Sequence, residues 1–157
     1  MTHYYKDYVK VPTGDRLRKT AQLYEQLGLP GCLGSMDATH VFWNKCPTGL
    51  THLCTGKEGR PTIAFNCIVD YLRYIHHVST AFFGATNDIT ITKNDQYTRS
   101  IMQGLYTNYE FFVFGDRGKL NRCKGGWILV DGGYPKVSCF VNGMASCYDP
   151  DISKLLT

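Results

Sequence analysis

The stretch CLGSMDATHVFW, residues 32–43, alternates with a period of two: Leu33, Ser35, Asp37, Thr39 and Val41 share one face, and Met36, Ala38, His40 and Phe42 the other. It predicts a strand with an aspartate, Asp37, at its middle. TIAFNCIVDY repeats the pattern, setting Ile63, Phe65, Cys67 and Val69 against Thr62, Ala64, Asn66 and Ile68. LRYIHHVSTAFFG follows with β-branched and aromatic residues, so a tight hairpin around Tyr71 to Arg73 and a third antiparallel strand are expected. The sheet begins as a meander.

Before the first strand, Leu17, Ala21, Tyr24 and Leu27 recur at three- and four-residue spacing, with Gly28 and Pro30 as stop signals; a helix over Thr13 to Gly28 is predicted. Residues 44–60 have loop composition. After the meander, Asn87 and Asp88 fall in a turn, and Tyr97, Ile101, Met102 and Leu105 predict a helix from about Asp95 to Leu105. Gly115, Gly118, Gly125 and Gly126 mark a basic loop region, and WILVDGGYP reads as a short strand buried on both faces with Asp131 at its exit. The tail from Lys136 to Thr157 carries turn chemistry at Asp149, Pro150 and Asp151. These elements give a mixed α/β sheet, divided into an N-terminal helical segment, 1–30, and a main domain, 31–157.

With 157 residues, 43% hydrophobic and 13% aromatic, the chain is neither disordered, collagenous nor a coiled coil. At this length roughly 70% of the unfolded surface can be buried, so folding needs no disulfide or structural metal. A formal charge of +4 permits contact with a polyanion without the strongly basic footprint of a dedicated nucleic-acid binder. Seven scattered cysteines and a polar, aromatic start point to a reducing, intracellular setting. The longest apolar runs, Phe111 to Phe114 and Trp127 to Val130, fall far short of the ~20 residues of a membrane helix.

Asp37 and Asp131 are the candidate pair for chemistry. Two carboxylates on neighbouring strands repel by ~4 kcal/mol at 4 Å for an effective dielectric near 20. Either one stays protonated or a divalent cation lies between them, and hard oxygen donors favour Mg²⁺ or Mn²⁺ over zinc. Spacing alone also allows a plainer reading, a hydrogen-bonded strand Asp37 and an Asp131 that only starts a turn.

Four blocks, GSMDATHVFW, GKEGRPTIAFNCIVD, HHVSTAFFGATNDITI and LVDGGYPK, agree in order and spacing over Gly31 to Phe140. Together they resemble the catalytic domain of Harbinger-type DDE transposases and their domesticated nuclease relatives. The resemblance implies a ribonuclease H-like fold with the first catalytic Asp in the middle of the first strand, Asp37, and the second just past the fourth, Asp131. It also implies two-metal phosphodiester chemistry on DNA, with Asp37 bridging two ions ~3.5–4 Å apart, Asp131 holding one and a third acid the other. That third acid is a Glu on a later helix in the family. This chain has no Glu after Glu110, and Asp149 and Asp151 follow Asp131 too soon, so the catalytic domain is expected to be incomplete at the C-terminus.

Asp88, in the GATND block, is a secondary candidate, either an N-cap or Asx-turn residue or one that orients a metal ligand. Lys57, Arg60 and Lys124 are candidate phosphate contacts, together with Lys45, Arg117, Lys119 and Arg122 in the flanking loops; a solvated basic loop is the plainer alternative. His40, on the strand face opposite Asp37, is expected to be packed and hydrogen-bonded. Cys46, His52 and Cys54 match no standard zinc spacing, and no glycine cluster has phosphate-loop spacing. The functional expectation is a transposase-derived, metal-dependent DNA endonuclease domain impaired by loss of the third acid. Its alternative is a non-catalytic domain that binds DNA or protein. By resemblance it would work in the nucleus, or be carried there from the cytoplasm, with a Myb-like DNA-binding partner.

Overall fold

The computed structural model of the chain describes residues 8–115 and 118–142. Helix α1, Gly14–Gln26, opens at an extended Thr13 and closes where Gly28 takes φ +81°. Ala21 and Tyr24 bury its apolar stripe, but Leu27, expected to extend that stripe, caps the helix and is about half exposed. The Tyr24 hydroxyl and Ser35 Oγ, 3.3 Å apart, mark where α1 covers the first strand.

That strand, β1, spans Cys32–Phe42 and pairs antiparallel with β2, Thr62–Val69, with Asp37 opposite Cys67. Its first half is buried on both faces, whereas from Asp37 onward the odd-numbered face is exposed. Strand β3, Ile75–Val78, extends the meander through a hairpin in which Arg73 adopts φ +66° and the Asp70 N–H donates to the Tyr74 carbonyl at 3.0 Å. The expected single third strand is interrupted. Asn66 N–H donates to Ser79 Oγ at 2.9 Å, a side-chain bond in place of a ladder bond, and pairing resumes only at β4, Phe82–Phe83.

Within the 44–60 segment, expected as loop, lie a 3₁₀ turn, Thr48–Leu50, and a one-turn helix α2, Thr51–Cys54. The helix expected over Asp95 to Leu105 is present as α4, Gln96–Met102, and a further short helix, α3, Asp88–Asn94, precedes it where a turn was expected. Asp95 breaks them apart: it is extended and caps α4, accepting from Thr98 N–H at 3.0 Å.

The glycine-punctuated region holds a β-hairpin rather than a loop: β5, Glu110–Phe114, and β6, Leu120–Lys124. Strand β7, Trp127–Val130, then returns parallel to β1, and β8, Phe140–Asn142, lies parallel to β7. The sheet order is β3-β2-β1-β7-β8, three antiparallel strands continued by two parallel ones; α3, α4 and the β5–β6 hairpin lie in the connection that ends at β7, and a nine-residue loop joins β7 to β8. This is a ribonuclease H-like mixed α/β sheet. Its core is Leu33, Met36, Ile68, Ile101, Ile128, Val130 and Phe140, each fully buried aliphatic or aromatic side chain contributing about 1.5–3 kcal/mol. Among the described residues no helix is long and apolar enough to cross a membrane, and the six described cysteines are free thiols.

Candidate active site

Asp37 emerges just beyond the stretch of β1 that α1 covers, and its Oδ1 accepts from the Ala38 N–H at 2.8 Å. The parallel pairing of β1 with β7 sets Ser35 beside Leu129. Continued two residues further, that register sets Asp37, at the middle of β1, level with Asp131, the first residue past β7, on adjacent strands spaced about 4.8 Å apart. Asp131 Oδ1 accepts from the Gly133 N–H at 2.8 Å, so its turn role and its place at the sheet end coexist.

Asp88 joins them from the other side. The cap expected of it is supplied by its neighbour: Asn87 Oδ1 accepts from Thr90 N–H at 2.8 Å, leaving Asp88 as the first residue of α3. A Cβ placed on Gly133 would lie 2.9 Å from Asp88 Oδ2 and 3.2 Å from Asp131 Oδ1. Gly133 is needed there for space, since its missing side chain is what lets the two carboxylates flank one point.

The electrostatics tie the three acids together. Burial pushes the Asp88 carboxyl up; Lys57 and His40 pull it down, while Asp131 and Asp37 push it further up. Tyr134, three residues past Asp131 and 3% exposed, has its phenol pushed far up, first by burial and then by Asp88, Asp37 and Asp131 in turn. Cys67, across the ladder from Asp37, is raised by burial and by that carboxylate. The Tyr134 hydroxyl donates to the fully buried Asn66 Oδ1 at 3.0 Å, anchoring the 131–134 turn to β2.

An all-carboxylate donor set suits a hard divalent cation, and the gap above Gly133 is a cradle that any side chain would fill. Asp37 and Asp131, with Asp88 beside them, are the residues that could hold such an ion. Among the described residues no three His, Cys, Asp or Glu side chains converge closely enough to hold one unaided. Asp149 and Asp151, weighed as third acids, and Arg117 lie outside the described residues.

The basic candidates separate. Lys57 lines a cavity of about 230 Å³ with His40, Gly56, Gly84 and Asp88, next to the acids. Arg60 stacks its guanidinium 3.5 Å from the centre of the Phe42 ring at the far end of β1. Lys124 sits on the hairpin, 3.3 Å from Glu110. His40 is hydrogen-bonded as expected, Nδ1 to Thr62 Oγ1 at 2.9 Å, and it also faces Asp88 across the cavity. No sequence pattern signals that last pairing, because the two residues meet only when the loop before α3 docks against β1.

A ribonuclease H-like sheet with one aspartate midway along its central strand and another at the exit of the parallel strand beside it defines the structural class of this domain. The chain belongs to the plant transposon protein family, a transposase-related family whose model matches residues 6–155. No curated protein and no solved structure matches the chain.

Proposed function

We propose that this chain is the nuclease core of a Harbinger-type DDE transposase or of a domesticated descendant, cutting or joining DNA phosphodiesters with Mg²⁺ or Mn²⁺. One observation carries the reading: the register of adjacent strands brings Asp37, mid-β1, level with Asp131 at the exit of β7, 94 positions away in the sequence, and Asp88 lies beside Asp131 across Gly133. Asp37 and Asp131 are the ligands in this reading, and Asp88 orients them across Gly133. A bound divalent cation would supply Lewis-acid stabilisation of the leaving oxygen and lower the pKa of the attacking water. Lys57, beside the acids, offers the nearest positive charge to an incoming phosphate, and Arg60 and Lys124 meet the strand further out. The same reading puts the protein's work in the nucleus, on chromosomal DNA, with a Myb-like DNA-binding protein as partner.

Mn²⁺ titration by calorimetry tests this directly. Wild type is expected to release or absorb heat on saturation and Asp37→Asn to lose most of it; equal heats for the two proteins would overturn the assignment. A second reading, a domain that binds DNA without cutting it, draws on the lack of a third converging ligand among the described residues. It predicts DNA binding undiminished in EDTA together with no Mn²⁺ heat from wild type.

A further inference from the structure

The β5–β6 hairpin stands apart from the acidic end of the sheet and presents two unlike faces. Its register pairs Glu110 with Lys124, Phe112 with Arg122 and Phe114 with Leu120. On the inner face, the Phe111 ring lies over Gly31, 2.6 Å from where a Cβ would be, so this edge of the ribbon is fixed to the start of β1. The outer face carries Glu110, Phe112, Phe114, Leu120, Arg122 and Lys124. There Phe114 is 81% exposed, Leu120 52% and Phe112 47%, three large apolar side chains side by side in water.

Exposed apolar residues in such a cluster mark a contact surface, and the charge around them indicates the partner. The described ribbon residues hold Lys119, Arg122 and Lys124 against the single carboxylate of Glu110, a net +2 out of the chain's +4. Glu110 is shared between Arg122 and Lys124, so it neutralises one charge and leaves the other for an outside anion. The centres of protein–protein contacts are depleted in charge, whereas aromatic rings interleaved with cations suit a nucleic acid, whose bases stack on the rings while its phosphates meet the cations. A two-stranded ribbon also has the width of the major groove, and exposed phenylalanines are used as wedges between base steps.

We infer that the β5–β6 ribbon is a second nucleic-acid contact, in which Phe112 and Phe114 stack on unpaired or unstacked bases and Lys119, Arg122 and Lys124 hold the neighbouring phosphates. The inference rests on the reading that this protein acts on DNA. The ribbon enters β7 at Trp127, and Asp131 follows the other end of that strand, about 13 Å along it at 3.3 Å per residue. The ribbon therefore grips DNA flanking the cleaved bond rather than the bond itself.

The test is fluorescence anisotropy in EDTA with a labelled single-stranded 20-mer and its paired duplex, on wild type, Phe112→Ala/Phe114→Ala and Arg122→Gln. Losing both rings should weaken single-strand binding roughly tenfold or more and duplex binding much less. Arg122→Gln should weaken binding to both and reduce the slope of log K against log salt by about one. Both variants lie on the exposed face and should melt like wild type. Unchanged single-strand affinity in the double variant overturns the inference, as does a double variant that loses only self-association on size exclusion, which would make the face a contact for a second copy. Wild type that binds DNA through the ribbon yet gives no Mn²⁺ heat would leave this inference standing and remove the nuclease reading. Wild type that binds neither oligonucleotide overturns the inference whatever the metal does.

Discussion

The polar groups around Asn66 and the acidic group around Gly133 are joined by the hydrogen bond from Tyr134 to Asn66, and differ in almost every other respect. Around Asn66 each buried polar atom has a complementary neighbour. Its amide nitrogen donates to Thr98 Oγ1 at 3.1 Å, Thr98 donates in turn to Asp95, and Asp95 is held by His77 Nε2 at 2.8 Å. Around Gly133 the carboxylates of Asp88 and Asp131 flank one point, with Asp37 on the adjacent strand, and the hydrogen bonds to Asp37 and Asp131 come from N–H groups one and two residues away. The first arrangement is complete without anything from outside. The second leaves the Asp88 carboxyl raised, by burial first and by Asp131 and Asp37 after it, while the bond to the buried Asn66 ties Tyr134, and with it the turn carrying Asp131, to β2.

The contrast can be broken most severely at Asn66. Asn66→Ala leaves Thr98 and Tyr134 without their partner in a fully buried site and should cost about 3 kcal/mol in urea unfolding; a cost under about 1 kcal/mol would mean the network is not what holds this layer. A smaller effect is expected at Asp95. Burial works to raise its carboxyl, but the hydrogen bonds from His77 and Thr98 outweigh that and hold it below the ordinary value of 3.8. A depressed carboxyl stabilises the fold above the unfolded-state value and loses that contribution as pH falls through the folded-state one. Asp95→Asn keeps the cap yet loses the charge, so it should cost about 1–2 kcal/mol at neutral pH, and its stability curve should converge with that of wild type below pH 3.8.

Gly133→Ala addresses the other cluster. Its new methyl would press on flexible carboxylate tips 2.9 and 3.2 Å away rather than on backbone. Mn²⁺ affinity by calorimetry should fall about tenfold while the melting temperature moves by less than about 2 °C. The smallest change is expected for Asp37→Asn in EDTA. Removing one of three like charges from an exposed position should leave stability within about 0.5 kcal/mol of wild type, and a large loss would place Asp37 among the structural residues with Asp95.

Much of this was legible in the sequence where one local signal dominated. Period-two alternation located β1, β2 and Asp37, and the apolar run closed by Gly-Gly located β7 and Asp131. Misreadings arose where two signals competed. In DITITKN the β-branched residues hid a short helix whose true marker is the cap at Asn87, whereas the helix that helical spacing located from Asp95 stands as α4, capped by Asp95 itself. In EFFVF and LNRCK the flanking glycines suggested loop, although the glycines only close the hairpin and the cross-strand pairs Glu110 with Lys124 and Phe112 with Arg122 form it. The role of Asp88 could not be read locally. It depends on the space above Gly133, which exists only in the folded molecule.

The position of β7 between β1 and β8 has a consequence for synthesis. As the chain leaves the ribosome, the β1–β2–β3 meander can form early with Asp37 already in place, but the flank of β1 that will receive β7 stays open until Trp127–Val130 has emerged. The neighbour of Asp37 thus arrives in the same event that seals the sheet, so a translation product released before that point has an uncovered, aggregation-prone strand and Asp37 without the carboxylate beside it.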